Sequence, residues 1–164
     1  MRSEGIRIRG FRSDDLNRVM AINFECLPEN YSAYFYRDIY TRFPKTFLTA
    51  EADDAIQGYI MCRIERGLSK FRSLRPTRLC HVVSIAVREP YRRRGIATRL
   101  LMEAMRNGRD EYHASECFLE VRVSNTPAIR LYEKLGFVAV KRNTRYYIDG
   151  EDAQVMAIPL VKKT

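Results

Sequence analysis

Long apolar runs are missing from this sequence. None reaches the roughly 18 residues that a membrane-spanning helix requires. The first fifteen residues, MRSEGIRIRGFRSDD, carry no apolar core of the kind a secretory leader needs. Cysteine is sparse and scattered: Cys26, Cys62, Cys80 and Cys117 form no close pair. That spacing argues against a zinc site or a disulfide framework and for reduced thiols in a cytoplasmic protein. Acid falls short of base, 20 Asp and Glu against 29 Lys and Arg, for a net charge of +9. The imbalance favours polyanionic neighbours, whether a phosphorylated cofactor, RNA or a ribosome surface, and does not choose among them. Repeats and low-complexity segments are lacking as well. The 164 residues fit one domain with a core of its own.

What is present alternates strands and helices. IRIRGF (6–11) interleaves apolar and basic residues in a strand pattern. Ser13, Asp14 and Asp15 open a helix that runs to about Glu25, with Leu16, Val19, Met20 and Phe24 on one face. Pro28 interrupts, and a tyrosine-rich helix continues to about Arg42. TFLTAEA (46–52) and AIQGYIMCRIER (55–66) form a hairpin around Asp53–Asp54. A basic loop, GLSKFRSLRPTR (67–78), leads to LCHVVSIAV (79–87), apolar enough to be a central strand. The next helix buries Ile96, Leu100, Leu101, Ala104 and Met105. ECFLEVRV (116–123) is a strand, and NTPAIRLYEKL (125–135) is a helix stopped by Gly136. FVAVKRNTRYY (137–147) and DAQVMAIPL (152–160) are two strands turning at Asp149–Gly150. The order β-αα-βββ-α-β-α-ββ predicts an α/β fold, one mixed sheet of about seven strands with about four helices.

The chemistry centres on VREPYRRRGIATRLLMEAM (87–105). A strand, a short glycine turn and a helix make an anion site, because the first amides of a helix lack internal partners and carry the positive end of its dipole. Gly95 lets a phosphate approach the backbone. Ala97 keeps the turn tight, and Arg92, Arg93 and Arg94 add charge. The spacing is neither GxxxxGK[ST] nor GxGxxG, so a P-loop and a dinucleotide fingerprint are excluded.

The R-R-x-G-x-A element after an apolar strand resembles the pyrophosphate-binding motif of the GNAT acetyltransferases. SNTPAIRLYEKLGF (124–137) is similar to that family's N-x-x-A-x-x-x-Y-x-K-x-G-F helix. LPENY (27–31) and YYIDGEDA (146–153) resemble the peptide-binding segments of its protein N-terminal acetyltransferases, of the NatA catalytic-subunit type and especially its archaeal members. The likeness covers nearly the whole chain, 1–164 as one domain, with the basic loop 67–78 as the stretch that has no counterpart.

The resemblance implies acetyl transfer from acetyl-CoA to the free α-amino group of protein N-termini. It implies a splayed central strand whose free groups at Ile85, Ala86 and Val87 hold the pantetheine arm. It places the pyrophosphate on Arg92, Arg93, Arg94, Gly95, Ile96, Ala97 and Thr98, with Asn125, Tyr132 and Lys134 as further cofactor positions. Tyr132 matches a tyrosine near the sulfur, where a phenol can donate to the leaving thiolate. Glu29 matches a catalytic glutamate. His81 and Glu120 match positions that hold a proton-relaying water, and a histidine pKa of about 6.5 suits that task. The pair makes a poor metal site, so no metal is expected. Leu27, Pro28, Glu29, Tyr31, Arg122, Tyr146 and Tyr147 take the substrate side. Arg122 either orients Glu29 or supports Glu120. Tyr146 and Tyr147 cannot both face the channel if their segment is a regular strand.

Glu29, His81 and Glu120 together imply acceptance of Ser, Ala, Thr and Gly termini and also Met-Leu types. Eukaryotic relatives work with a large auxiliary subunit, which this sequence neither requires nor excludes. Two other readings compete: a GNAT enzyme acting on lysine, a ribosomal protein or a small amine, and a non-catalytic RNA- or ribosome-binding module. The second has the basic charge but no aromatic–basic strand for stacking bases, so no specific nucleic acid is expected.

Overall fold

Seven strands form one sheet in the order β1-β2-β3-β4-β5-β7-β6 in the computed structural model, which describes residues 5–161. The first four residues of the amino-terminal stretch read above lie outside the described residues. In chain order the elements are β1 (Arg7–Gly10), α1 (Leu16–Cys26), α2 (Ala33–Arg42), β2 (Phe47–Ala52), β3 (Ala55–Leu68), β4 (Pro76–Val87), α3 (Ile96–Tyr112), β5 (Glu116–Arg122), α4 (Thr126–Lys134), β6 (Val138–Asn143) and β7 (Ala153–Pro159). Every pairing is antiparallel except β4 with β5.

The helices divide between the faces. The apolar stripe of α3, with Ile96, Leu100, Leu101 and Ala104, packs on Ile60, Cys62, Cys80, Leu119 and Met156. On the other face α1 and α2 enclose an aromatic cluster in which Phe11 stacks on Phe47 at 4.0 Å, beside Tyr36 and Tyr59. All four cysteines are free thiols, three of them buried.

The slot that matters for function comes from how β4 is paired. Its parallel ladder with β5 is confined to Leu79, Cys80 and His81 against Glu116, Cys117 and Phe118. Beyond His81 the strands part. On the other edge Met61 faces Ser84 while Cys62 faces Val82, so Val83 is an extra residue, a β-bulge that bends β4.

Three expectations need correction. Phe24 is 79% exposed, and the buried face of α1 is Leu16, Val19, Ile22 and Asn23. At 100° per residue Phe24 sits about 140° around the helix from Val19, outside the stripe. The basic loop 67–78 is mostly hairpin: Leu68 pairs with Pro76 and Gly67 with Thr77, so residues 69–75 alone connect the strands. Pro76 is tolerated as the first residue of its strand. The Glu116 carboxylate anchors the tip, accepting from the Ser69 hydroxyl and, at 2.8 Å, the Lys70 amide. Finally, β6 stops at Asn143 rather than running to 147. Arg145 takes a left-handed φ of 52°, and its amide donates to Asp152 at 2.9 Å, which turns the chain.

Candidate active site

A cavity of about 1000 Å³ opens where β4 and β5 separate. Residues 82–87 of β4 and 119–122 of β5 form its walls, with the amino-terminal turns of α3 and α4 at one end and Leu27, Pro28 and Glu29 at the other.

The α3 end is built from backbone. Gly95 caps the helix with φ +79°, and nothing lies within 4 Å of where its side chain would be. That leaves open space in front of the first amides of a 17-residue helix. Ile96, Ala97 and Thr98 line the cavity beside Arg92 and Arg93. Arg92 also donates to the Val87 carbonyl at 2.7 Å, which fixes the turn to the end of β4. Arg94 is not among the lining residues; its guanidinium lies 5.1 Å from the Tyr91 ring centroid. Ile85, Ala86 and Val87 present the β4 edge left free by the splay. Asn125 lines the cavity and caps α4, its side chain accepting from the Ala128 amide at 3.3 Å. Tyr132 is buried against the cavity, and burial pushes its phenol up to about 12, so it stays a proton donor. Lys134 lies exposed at the far end of α4, away from the cavity lining.

The opposite end is built from side-chain charge. The loop between α1 and α2 hangs on Asn23, which is 1% exposed. Its amide donates to the Glu29 carbonyl at 3.1 Å and to the Tyr59 hydroxyl at 3.0 Å, and its oxygen accepts from Asn30 at 2.8 Å. Tyr59 in turn meets the Ser84 hydroxyl on β4 at 2.6 Å. So anchored, Glu29 accepts from Arg122 at 2.7 Å. Of the two roles expected for Arg122, the contact to Glu29 is the one formed. Arg122 also donates to Asp149 at 2.8 Å and Glu151 at 3.0 Å, and its guanidinium lies 4.0 Å from the Tyr147 ring centroid.

Tyr147 lines the cavity, and Tyr146 meets it edge-on at 4.9 Å. Both lie in the turn after β6, so the alternation of a regular strand does not separate them. Tyr31 spends its hydroxyl on the Val83 carbonyl at 3.3 Å, at the bulge, and stacks on Phe35 at 4.8 Å.

His81 and Glu120 do come together, at 2.7 Å from Nε2 to Oε1. That direct contact leaves no room for a water between those two atoms. The other ring nitrogen, Nδ1, lies 2.6 Å from Glu65, and the ring stacks on Phe118 at 4.2 Å. Burial disfavours the charged ring, but hydrogen bonds to Glu120 and Glu65 outweigh it and lift His81 to about 9. The ordinary value near 6.5, on which the relay expectation rested, does not describe this histidine. Glu120 lines the cavity and His81 does not.

Sequence reasoning missed Glu65, Asp149, Glu151 and Asn23. The alternation in R-I-E-R was the available signal for Glu65, since it sets Arg63 and Glu65 on one face of β3, with Arg63 opposite His81. Among the described residues no group of histidine, cysteine and carboxylate side chains could hold a metal, and no helix is long and apolar enough to cross a membrane.

One end of the cavity thus suits an anionic, phosphate-bearing ligand, and the other suits an amine approaching carboxylates. Known proteins resemble this chain over nearly its whole length. The model of the acetyltransferase (GNAT) family matches residues 16–137. An N-alpha-acetyltransferase of Sulfurisphaera tokodaii is 51% identical over 156 residues, covering 94% of this chain and 93% of that protein. The crystal structure of a NatC complex bound to Gag peptide and CoA contains a similar chain, with a TM-score of 0.84 and 27% identity over 96% of this chain and 99% of that one. Ard1 from Thermoplasma volcanium is similar with a TM-score of 0.82 and 26% identity, covering 96% of this chain and 99% of that one.

Proposed function

The chain belongs to the acetyltransferase (GNAT) family and is an acetyl-CoA-dependent N-alpha-acetyltransferase, and on that premise we propose how it works and on which termini. The termini are those starting with Ser, Ala, Thr or Gly, together with the Met-Leu type, acetylated by direct attack in a ternary complex. The observation that carries this reading is the cavity itself, running from the amides of α3 along the free edge of β4 to Glu29, Glu120 and Arg122.

The residues present fit the cofactor. The open space at Gly95 and the free β4 edge are the shapes that a pyrophosphate and an amide-bearing arm require. When bound, acetyl-CoA supplies the acetyl group as a thioester. Gly95, Ala97 and Thr98, with Arg92 and Arg93, hold the pyrophosphate, while residues 85–87 hold the arm. Tyr132 delivers a proton to the departing sulfur. An α-amine, with a pKa of about 7.7–8.0, is partly neutral near pH 7, so position matters more than base strength. Glu29, steadied by Arg122 and Asn23, and Glu120, steadied by His81, are the two carboxylates that can orient the amine and take its proton. Tyr146 and Tyr147 wall the entry, which admits a free chain end and excludes a lysine within a loop.

The same reading makes the protein cytoplasmic. It also gives the cations of the β3–β4 hairpin, Arg66, Lys70, Arg72, Arg75 and Arg78, a place against a ribosome surface.

Turnover with peptides starting Ser, Ala, Met-Leu and Met-Glu, beside a blocked peptide with an internal lysine, tests the assignment. Acetylation confined to free termini supports it. Reaction of the blocked lysine peptide alone would overturn the substrate assignment.

A further inference from the structure

Glu65 belongs to none of the motifs quoted above, yet it closes a chain of charge behind the cavity. His81, with 12% of its side chain exposed, lies between Glu65 of β3 at 2.6 Å and Glu120 of β5 at 2.7 Å. Each ring nitrogen faces a carboxylate oxygen. A carboxylate only accepts, so both nitrogens must donate, and a ring that donates twice is the imidazolium. A neutral ring would set one nitrogen lone pair against a carboxylate lone pair.

The charged and polar groups around the ring, among the described residues, are consistent with this. From β3, Arg63 donates to the same Glu65 oxygen at 2.6 Å. From β5, Phe118 stacks on the ring, and from the hairpin tip Lys70 sits 4.3 Å from the Phe118 ring centroid. Cys80 adjoins His81 on β4, and the Tyr31 and Tyr146 phenols feel Glu120 from the two substrate loops. Among the described residues only Glu65 and Glu120 bond the imidazole.

We propose that Glu65 is a positioning residue: through a His81 that stays charged during turnover it aims the Glu120 carboxylate at the incoming amine, and Glu120, not His81, receives the proton. As the new N–C bond forms, the thioester C–S bond breaks with its electron pair on sulfur, which leaves as a thiol with the proton from Tyr132; a nitrogen N–H bond breaks with its electron pair staying on nitrogen, and that proton forms an O–H bond on Glu120 before leaving to water. The acylating nitrogen is strongly acidic at that moment, so a carboxylate is base enough. His81 keeps both protons throughout. The kinetic part of this inference rests on the acetyl-transfer reading; the state of the ring does not.

Glu65→Gln keeps the shape and removes the charge. We expect kcat for Met-Leu peptides to fall about tenfold, with acetyl-CoA affinity unchanged. The active form holds a charged ring, so activity is lost as pH rises through the ring's pKa. In the variant that alkaline limb moves down by about one pH unit or more, as expected when an opposite charge is removed at this distance. The ring can be followed directly by 15N NMR, since the chain has two histidines, His81 and His113. With His113→Gln to assign the signals, both His81 nitrogens should be protonated at pH 7.5 in the otherwise native protein.

A ring neutral at pH 7.5, a variant whose pH profile is unchanged, or one whose acid limb moves instead would overturn the proposal. If Glu65→Gln fails to fold, the native ring's titration still decides it. If the native protein acetylates no peptide, the assigned function fails while the NMR result stands by itself.

Discussion

The two ends of the cavity solve different problems with different materials. At the α3 end the cavity is lined largely by main chain, the amides after Gly95 and the unpaired edge of β4 beyond His81, with the Arg92 and Arg93 side chains beside them. At the other end the groups are side chains, Glu29, Arg122, Asp149, Glu151, Glu65, His81 and Glu120, brought from five segments of the chain and held by one another. A site of main-chain amides has no protons to lose and tolerates a wide pH range. A site of paired charges is tuned by its neighbours and fails when one of them leaves. On the function proposed above, recognition of the shared donor is thus separated from discrimination among many termini.

Four substitutions and one titration sharpen that contrast. Arg122→Ala has the largest expected effect: Glu29 loses its clamp beside Asp149 and Glu151, and kcat/KM on Ser and Ala peptides should fall about a hundredfold, the scale of an ångström's misplacement. Acetyl-CoA affinity should hold. Gly95→Val should do the reverse, weakening acetyl-CoA binding about tenfold through the strain of a β-branched residue at positive φ while leaving peptide KM alone, as calorimetry would show. If Arg122→Ala instead weakened cofactor binding, the two ends would not be separable.

Asn23→Ala should cost about 2 kcal/mol in denaturant unfolding, because it strands buried polar groups. It should also lower kcat on Ser and Ala peptides by loosening the Glu29 loop. A stability loss with unchanged kinetics would show that the anchor serves the fold alone.

The charge chain sets a pH window for stability. Hydrogen bonding from His81, against the opposing effect of burial, holds Glu65 down to about 2 from an ordinary 4.5. Its contribution is therefore present above 4.5 and lost as pH falls toward 2. His81 is raised from 6.5 to about 9, so its contribution is full below 6.5 and lost as pH rises through 9. Denaturation midpoints should peak between pH 4.5 and 6.5 and decline on both sides. Phe24→Ser, on the exposed side of α1, should change stability by less than about 0.5 kcal/mol.

The same contrast explains what the sequence disclosed. The backbone end is local: strand, Gly95 and helix are contiguous, so RRRGIA displays its geometry in order. The element order and the apolar stripe of α3 were legible for the same reason. The charged end is assembled across the sheet. Nothing next to Glu65 in sequence points to His81, and the link appears only once the β3–β4 register sets Arg63 opposite His81. Asp149 and Glu151 sat in a segment already noted for its tyrosines, but their partner Arg122 lies 27 and 29 residues away. Asn23 was hidden by an amphipathic reading that chose Phe24. A polar side chain that supports a loop from inside the core leaves no periodic trace.

The splay of β4 from β5 also has a mechanical side. Three paired residues on each strand are the ladder between a four-stranded half, β1 to β4, and a three-stranded half, β5, β7 and β6. That short ladder is a seam. A ligand laid along the open edge of β4 with its far end on the β5 side spans it like a rivet. A hundredfold excess over Kd would strengthen the folded state by about 2.7 kcal/mol. The amides of β4 beyond His81 should then be where hydrogen exchange slows most when the donor is bound, if the donor takes the place proposed for it.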